Sequence, residues 1–115
     1  MPGISIHVVD VSRGIVATGM RVELQAGSGF DRLADGKIDA RGQLAHPALS
    51  KTFDAGPYRA VFHVGDYFRA CGVANAAIPF LDVVNFDFGI ADPVQHVHLP
   101  FKCTPWGYSC FRGGA

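Results

Sequence analysis

The sequence has no surplus of charge of either sign, since ten lysines and arginines balance ten aspartates and glutamates in 115 residues. A basic surface for nucleic acid or for an anionic membrane is therefore not expected. Long apolar stretches are also missing, and no run approaches the roughly 20 residues that a membrane-spanning helix needs. These two absences predict a protein with neither a nucleic-acid partner nor a membrane partner.

Cysteine is scarce, with only Cys71, Cys103 and Cys110 in the chain. An odd number without zinc-finger spacing argues against a fully paired disulfide framework and indicates reduced thiols. The first residues have neither the basic nor the apolar region of an export signal. Together these features predict a cytoplasmic protein.

Several catalytic motifs are missing as well. There is no Gly-x-Gly-x-x-Gly fingerprint and no phosphate-binding Gly-Lys-Ser/Thr loop, so a nucleotide cofactor is not expected. None of the serines lies in a nucleophile-elbow sequence, which leaves a serine hydrolase without motif support.

What the chain does have is frequent turn chemistry between short apolar segments. It contains 14 glycines, seven prolines and 13 aromatic residues, and 49% of its residues are hydrophobic. This length and composition predict one domain over residues 1–115, with an all-β fold built as a two-sheet sandwich. Residues 65–72 alone have helical character. The predicted strands cover residues 4–9, 20–24, 33–38, 58–64, 80–88 and 94–101, the last of these being the final strand.

The histidines carry most of the chemical information. His96 and His98 lie on one side of a predicted strand, about 7 Å apart. They could share a metal, supply a general base and its orienting partner, or simply be hydrogen-bonded residues of a sheet face. A zinc site would need His7 as third ligand, which requires the first strand to lie beside the last. His46 and His63 are expected to face solvent.

Motifs at both ends of the chain resemble those of one family. The sequences HVHLP at 96–100 and PWGYSCFRG at 105–113 are similar to the C-terminal motifs of the transthyretin-like proteins, the 5-hydroxyisourate hydrolases. The sequences IHVVD at 6–10, SRG at 12–14, GDYF at 65–68 and IP at 78–79 resemble further motifs of that family. The resemblance therefore covers nearly the whole chain.

The resemblance implies a sandwich of seven or eight strands with one short helix, assembled as a homotetramer from two dimers. It implies an enzyme that adds water across the lactam of 5-hydroxyisourate during urate breakdown, without a cofactor or a metal. By the same resemblance, His7 and His98 match the two active-site histidines, and Arg112 matches the arginine of the terminal motif. Phe101 and its neighbours are expected to cover a partner subunit.

The departures from the family pattern affect the substrate site. Gln43 stands where the hydrolases carry an arginine, and Phe111 stands where they carry a tyrosine. The terminal serine hydroxyl is also missing, because that position is Gly114. Arg41 would share the face of Gln43 if the segment were extended, and could then supply the missing charge.

Three functions follow as alternatives. The first is hydrolysis of 5-hydroxyisourate, with Arg112, Gln43 and Phe111 as substrate-binding positions. The second is a diverged enzyme that acts on another small cyclic substrate. The third is a carrier of small molecules on the same scaffold, although a carrier has no need of both His7 and His98.

Overall fold

The computed structural model of the chain describes residues 2–73 and 77–114, and within them eight strands surround an apolar core. The strands are β1 (Gly3–Asp10), β2 (Ile15–Val16), β3 (Arg21–Ala26), β4 (Asp31–Lys37), β5 (Gly56–His63), β6 (Val83–Ile90), β7 (His96–Thr104) and β8 (Gly107–Cys110). One α-helix, α1, covers Val64–Ala70, and a turn of 3-10 helix covers Pro47–Ser50. In this part of the chain no helix has the length and apolar character to cross a membrane.

The strands form two four-stranded sheets, in the orders β2-β1-β7-β8 and β4-β3-β5-β6. The predicted all-β sandwich with one short helix is confirmed. At the centre of the first sheet β1 and β7 run parallel, with Ser5 opposite His98 and His7 opposite Pro100. Because side chains alternate across a strand, buried residues such as Ile6 point to the second sheet while Ser5 and His7 point outwards.

Aromatic packing joins the inner faces of the two sheets. Phe62 of β5 stacks on Phe101 of β7 with ring centres 3.9 Å apart, and both side chains are fully buried. The expectation that Phe101 covers a partner subunit is therefore wrong, because this residue faces the core. The exposed aromatic residues that follow β7 are Trp106, Tyr108 and Phe111 instead.

The strand that carries His96 and His98 is not the last one. It continues to Thr104, and a tight turn then leads into β8. The Thr104 hydroxyl stabilises that turn by accepting hydrogen bonds from the backbone N–H groups of Trp106 and Gly107, each at 3.1 Å. The short β8 has no clear alternation of apolar and polar residues, which is why its pattern did not predict a strand.

Two histidines that were expected to face solvent are engaged with the protein. His63 Nε2 lies 2.7 Å from Glu23 Oε2, with only 14% and 7% of the two side chains exposed. His46 is half-buried, and its Nδ1 accepts a hydrogen bond from the Ala48 N–H at 3.1 Å, which caps the 3-10 helix. Both expectations were wrong because the burial of each histidine depends on a partner residue that the local alternation of polar and apolar residues does not reveal.

A buried carboxylate fixes the end of β1 against α1. Asp10 is fully buried and accepts hydrogen bonds from Ser12 Oγ at 2.5 Å, Arg13 Nε at 2.8 Å and Tyr67 Oη at 3.2 Å. Burial alone would raise the pKa of Asp10, but these hydrogen bonds outweigh it and lower the pKa. The carboxylate therefore stays charged and holds β1 in position.

Candidate active site

The predicted catalytic histidines meet on the outer face of the first sheet. His7 of β1 lies opposite Pro100, and His98 of β7 lies opposite Ser5, so both histidines share that face although they come from opposite ends of the chain. The first strand thus lies beside the strand that carries His96 and His98, which is the pairing required for His7 to join them. A pocket of about 300 Å³ opens beside this face and is lined by Ser5, His96 and Gln43 among others.

A serine hydroxyl joins the two histidines of β7. Ser5 Oγ lies 2.8 Å from His96 Nε2 and 2.6 Å from His98 Nδ1. The other ring nitrogen of His98, Nε2, has no hydrogen-bond partner within residues 2–73 and 77–114, so it is available to a ligand. Sequence reasoning did not single out Ser5. The signal was its place two residues before His7, on the same side of an otherwise apolar strand.

The environment of His98 favours its neutral form. Burial lowers the pKa of His98 below its usual 6.5, and charge on the neighbouring His7 and His96 lowers that pKa further. A histidine that is neutral at physiological pH has a lone pair with which to accept a proton. His98 therefore has the protonation state of a general base.

His7 is held by the backbone of the segment that follows β4. Its Nε2 donates a hydrogen bond to the carbonyl oxygen of Arg41 at 3.2 Å, so the lone pair lies on Nδ1. His7 also forms an antiparallel bridge with Gln43, which places the two side chains on one face. Gly42 has a φ of +82°, and a Cβ there would lie 2.8 Å from His7 Nε2. A glycine is therefore needed for this close approach.

The segment around Arg41 is a turn and is not extended. The Gly42 N–H donates to the Asp39 carbonyl oxygen at 3.0 Å and closes the turn. Backbone N–H groups of Gln43 and Arg41 donate to the Asp39 carboxylate, at 3.0 and 2.8 Å, and lower the pKa of Asp39. The segment thus does not meet the condition under which Arg41 would share the face of Gln43.

The C-terminal segment covers His98 from the other side. The Gly113 N–H donates to the His98 carbonyl oxygen at 2.8 Å, which extends the pairing of β7 with β8 beyond Cys110. A Cβ at position 113 would lie 2.7 Å from His98 Cδ2 and 2.9 Å from Pro100 Cγ. Only glycine lets the chain pass this close to the imidazole.

Arg112 and Phe111 do not join the histidines in the single chain. Arg112 Nη2 donates to Gln95 Oε1 at 3.0 Å, and the side chain lines a separate cavity of about 100 Å³ with Leu99 and neighbouring apolar residues. Phe111 is exposed, with the ammonium group of Lys102 lying 6.0 Å from its ring centre. The structure therefore groups His7, His98 and Gln43 but leaves these two positions apart.

The three-histidine metal site gains no support from the geometry. In the described ranges, 2–73 and 77–114, no three His, Cys, Asp or Glu side chains are placed to hold a metal ion. The facing nitrogens of His96 and His98 both contact the Ser5 hydroxyl instead.

The two-sheet sandwich, with its histidines on an outer sheet face, defines a transthyretin-like protein. The chain belongs to the HIUase/Transthyretin family, whose model matches residues 4–113.

Two bacterial relatives match over nearly the full length of the chain. The 5-hydroxyisourate hydrolase of Deinococcus radiodurans is 39% identical over 97% of this chain and 96% of its own length. The 5-hydroxyisourate hydrolase of Caulobacter vibrioides is 37% identical over 98% and 99% of the two chains.

All three cysteines of the present chain are free, as the sequence predicted.

Solved structures agree with these relatives. The 5-hydroxyisourate hydrolase of Klebsiella pneumoniae superposes with a TM-score of 0.82 at 30% identity, over 99% of this chain and 100% of the other. An (S)-allantoin synthase superposes with a TM-score of 0.87 at 31% identity, over 97% of this chain but only 43% of the other. The fold is thus shared by a chain of the same length and by part of a longer one.

Proposed function

We propose that this protein is an enzyme of the 5-hydroxyisourate hydrolase type, which opens a small cyclic amide in purine breakdown. The relatives reported above are named for this reaction. The observation that carries the proposal is the state of His98, whose pKa is lowered and whose Nε2 has no protein partner in the described residues. It shares an outer sheet face with His7, and its partner Ser5, with His96 and Gln43, lines a pocket large enough for a small ligand.

In the proposed reaction, His98 Nε2 removes a proton from water as the water oxygen attacks the lactam carbonyl. The carbonyl oxygen becomes an oxyanion, and hydrogen-bond donors placed at that point stabilise it. The ring C–N bond then breaks, and His98 returns the proton to the leaving nitrogen. His7 Nδ1 has a lone pair with which to accept a hydrogen bond from the water or from a substrate N–H group.

Gln43 is the proposed donor to the oxyanion, because its bridge to His7 places it on the same face. Its amide can donate a hydrogen bond but carries no charge, unlike the arginine of the family pattern. This difference favours a second candidate, an enzyme of the same type that acts on another small cyclic amide. We also propose Arg112 and Phe111 as substrate-binding positions. Within one chain both lie apart from the histidines, so they are not part of the cluster of His7, His98 and Gln43.

An ultraviolet assay with freshly generated 5-hydroxyisourate tests the function. The wild-type protein should accelerate the loss of substrate absorbance, and His98→Gln should abolish the acceleration. His63→Gln is the matched control, since it makes the same chemical change on the other sheet beside Glu23. Absence of acceleration by the wild-type protein, with other cyclic amides hydrolysed through His98, would select the second candidate.

We propose further that the single domain of residues 1–115 assembles as a cytoplasmic homotetramer. Each sheet ends on two outer strands, β2 and β8 in one and β4 and β6 in the other, and none of them has a further strand partner in the described part of the chain. The exposed Trp106 and Tyr108 lie at the β8 edge. Three free thiols suit a reducing compartment.

A further inference from the structure

We propose that Ser5 is a positioning residue that links His96 to His98 and holds His98 in the Nδ1–H form, leaving Nε2 as the base. The catalytic meaning of this link rests on the proposed function, whereas the tautomer of His98 does not. The geometry is direct, because one hydroxyl oxygen lies 2.8 Å from His96 Nε2 and 2.6 Å from His98 Nδ1.

A hydroxyl has one proton, so its two histidine partners must play different roles. If Ser5 donates to His96 Nε2, His98 Nδ1 carries the proton and donates to Ser5 Oγ. The lone pair of His98 then lies on Nε2, where a water can be activated. If Ser5 donates to His98 Nδ1 instead, His98 Nε2 carries the proton and cannot act as a base. The direction of one hydroxyl therefore decides whether His98 is competent.

The surroundings of His98 favour the competent direction. The titratable groups that face it are His7 from β1 and His96 from its own strand, and the tail up to residue 114 approaches it through the backbone of Gly113. Burial and these two histidines reduce the basicity of His98, which makes it a poor acceptor for the hydroxyl proton. Ser5 accordingly donates to His96, and His98 donates to Ser5.

The link also provides a place for the proton that His98 takes from water. When Nε2 gains that proton, the Nδ1 proton can pass to Ser5 Oγ while the hydroxyl proton of Ser5 passes to His96 Nε2. Ser5 is unchanged, His98 is neutral in its Nε2–H form, and His96 carries the positive charge. Return of the proton along the same path accompanies donation from His98 Nε2 to the leaving nitrogen, so protons balance over the cycle.

His96 is placed to hold that charge. It is half-buried and lines the pocket of about 300 Å³, together with Gln43 and His46. A cation at the wall of an open pocket is better solvated than one under the C-terminal segment at His98. The two histidines of β7 thus have different roles in the proposal: His98 exchanges a proton with water, and His96, at the pocket wall, holds the resulting charge.

Long-range 1H–15N NMR of the histidine side chains tests the link without any substrate. In wild-type protein near neutral pH, His98 should be mainly the Nδ1–H form. Ser5→Ala should make the Nε2–H form the major one, and Ser5→Thr, which keeps the hydroxyl, should restore the wild-type spectrum. Ser109→Ala, an exposed serine of β8 in the same sheet, should change nothing. Unchanged His98 nitrogen shifts in Ser5→Ala would overturn the proposal.

A second variant guards against failure of Ser5→Ala to fold. His96→Ala removes the acceptor of the hydroxyl proton, so Ser5 becomes free to donate to His98 Nδ1. His98 should then be mainly the Nε2–H form, although Ser5 is intact. Retention of the Nδ1–H form in this variant would contradict the proposed direction of the link.

Kinetics separate this inference from the function on which it rests. With 5-hydroxyisourate as substrate, Ser5→Ala should lower kcat by about tenfold or more and change KM by less than about threefold, while Ser5→Thr recovers most of kcat. If wild-type protein shows the Nδ1–H form but no hydrolysis, the proposed function fails and the link stands. If Ser5→Ala changes the tautomer but leaves kcat unchanged, the catalytic role of the link is wrong.

Discussion

At the scale of single residues, the lowered pKa of His98 sets the pH range of the reaction. A base must be neutral, so kcat/KM should rise with pH through the pKa of His98, and the midpoint should lie below the usual 6.5. The sign follows from the causes, since burial and the charges of His7 and His96 all oppose protonation of this ring. The measurement is kcat/KM against pH, beside an NMR titration of the His98 ring.

A variant of His7 tests whether its charge lowers the pKa of His98. His7→Gln removes a positive charge that lowers the pKa of His98, so the midpoint in the NMR titration should move to higher pH. His46→Gln, at the 3-10 helix, should leave the midpoint in place. If the midpoint of the kcat/KM profile of the wild-type protein lay at or above pH 6.5 while the NMR midpoint of His98 lay below it, His98 would not be the group that controls activity.

A second prediction at this scale concerns Gln43. Gln43→Arg should raise kcat/KM for 5-hydroxyisourate by about 10- to 150-fold, because one charge-assisted hydrogen bond is worth roughly 1.5–3 kcal/mol. The bridge to His7 places the new side chain on the histidine face. Steady-state kinetics of Gln43→Arg, Arg41→Ala and the double variant provide the measurement.

The outcomes for position 43 distinguish two explanations. Arg41→Ala alone should have little effect, because Arg41 lies in a turn and was expected to help only from an extended segment. A large loss in Arg41→Ala would show that this side chain already supplies the charge. No gain in Gln43→Arg, with Arg41→Ala also silent, would favour a different cyclic substrate.

At the scale of elements, the C-terminal segment and β7 must approach each other closely at His98. Gly113→Ala should lower kcat/KM by about tenfold or more, because its Cβ would lie 2.7 Å from His98 Cδ2 and displace the ring or the tail. Gly114→Ala is the matched control, since a Cβ there meets nothing within 4 Å and should change kcat/KM by less than about twofold. Equal activity of the two variants would show that the tail does not position His98.

Most elements could be predicted from local pattern, because a half-buried strand alternates and its turns contain glycine. The strand from Tyr58 is an example, as is the helix that begins beside Gly65. β8 could not be predicted in this way, since it is four residues long and depends on a hairpin with β7. Its sequence has the form of a turn more than that of a strand.

The two histidines of the candidate site could be proposed from the sequence, but Ser5 and the contacts between these residues could not. His7 and His98 followed from the family motifs, and their common face was conditional on a pairing between the two ends of the chain. The link through Ser5 depends on the register of β1 against β7, which no local pattern contains. The separation of Arg112 from the histidines depends in the same way on how the tail pairs with β7.

At the scale of the whole molecule, the apolar core reaches the surface at one edge of the sandwich. Tyr108 of β8 stacks on the buried Phe101 with ring centres 5.6 Å apart, yet 51% of Tyr108 is exposed. An aromatic ring that continues the core but lacks a cover on its outer side is typical of an edge that pairs with another subunit. The proposed homotetramer would cover this edge with a second copy.

Size-exclusion chromatography with light scattering tests this assembly. Wild-type protein at micromolar concentration should have a mass near four times 12.3 kDa, whereas Tyr108→Asp should shift the mass towards the monomer by placing a charge in the covered edge. Phe30→Asp is the matched control, because Phe30 is similarly exposed, at 45%, but lies in the turn between β3 and β4. It should retain the wild-type mass. A monomeric wild-type protein would contradict the assembly, and hydrolysis by that monomer would show that His7, Gln43 and His98 need no partner subunit.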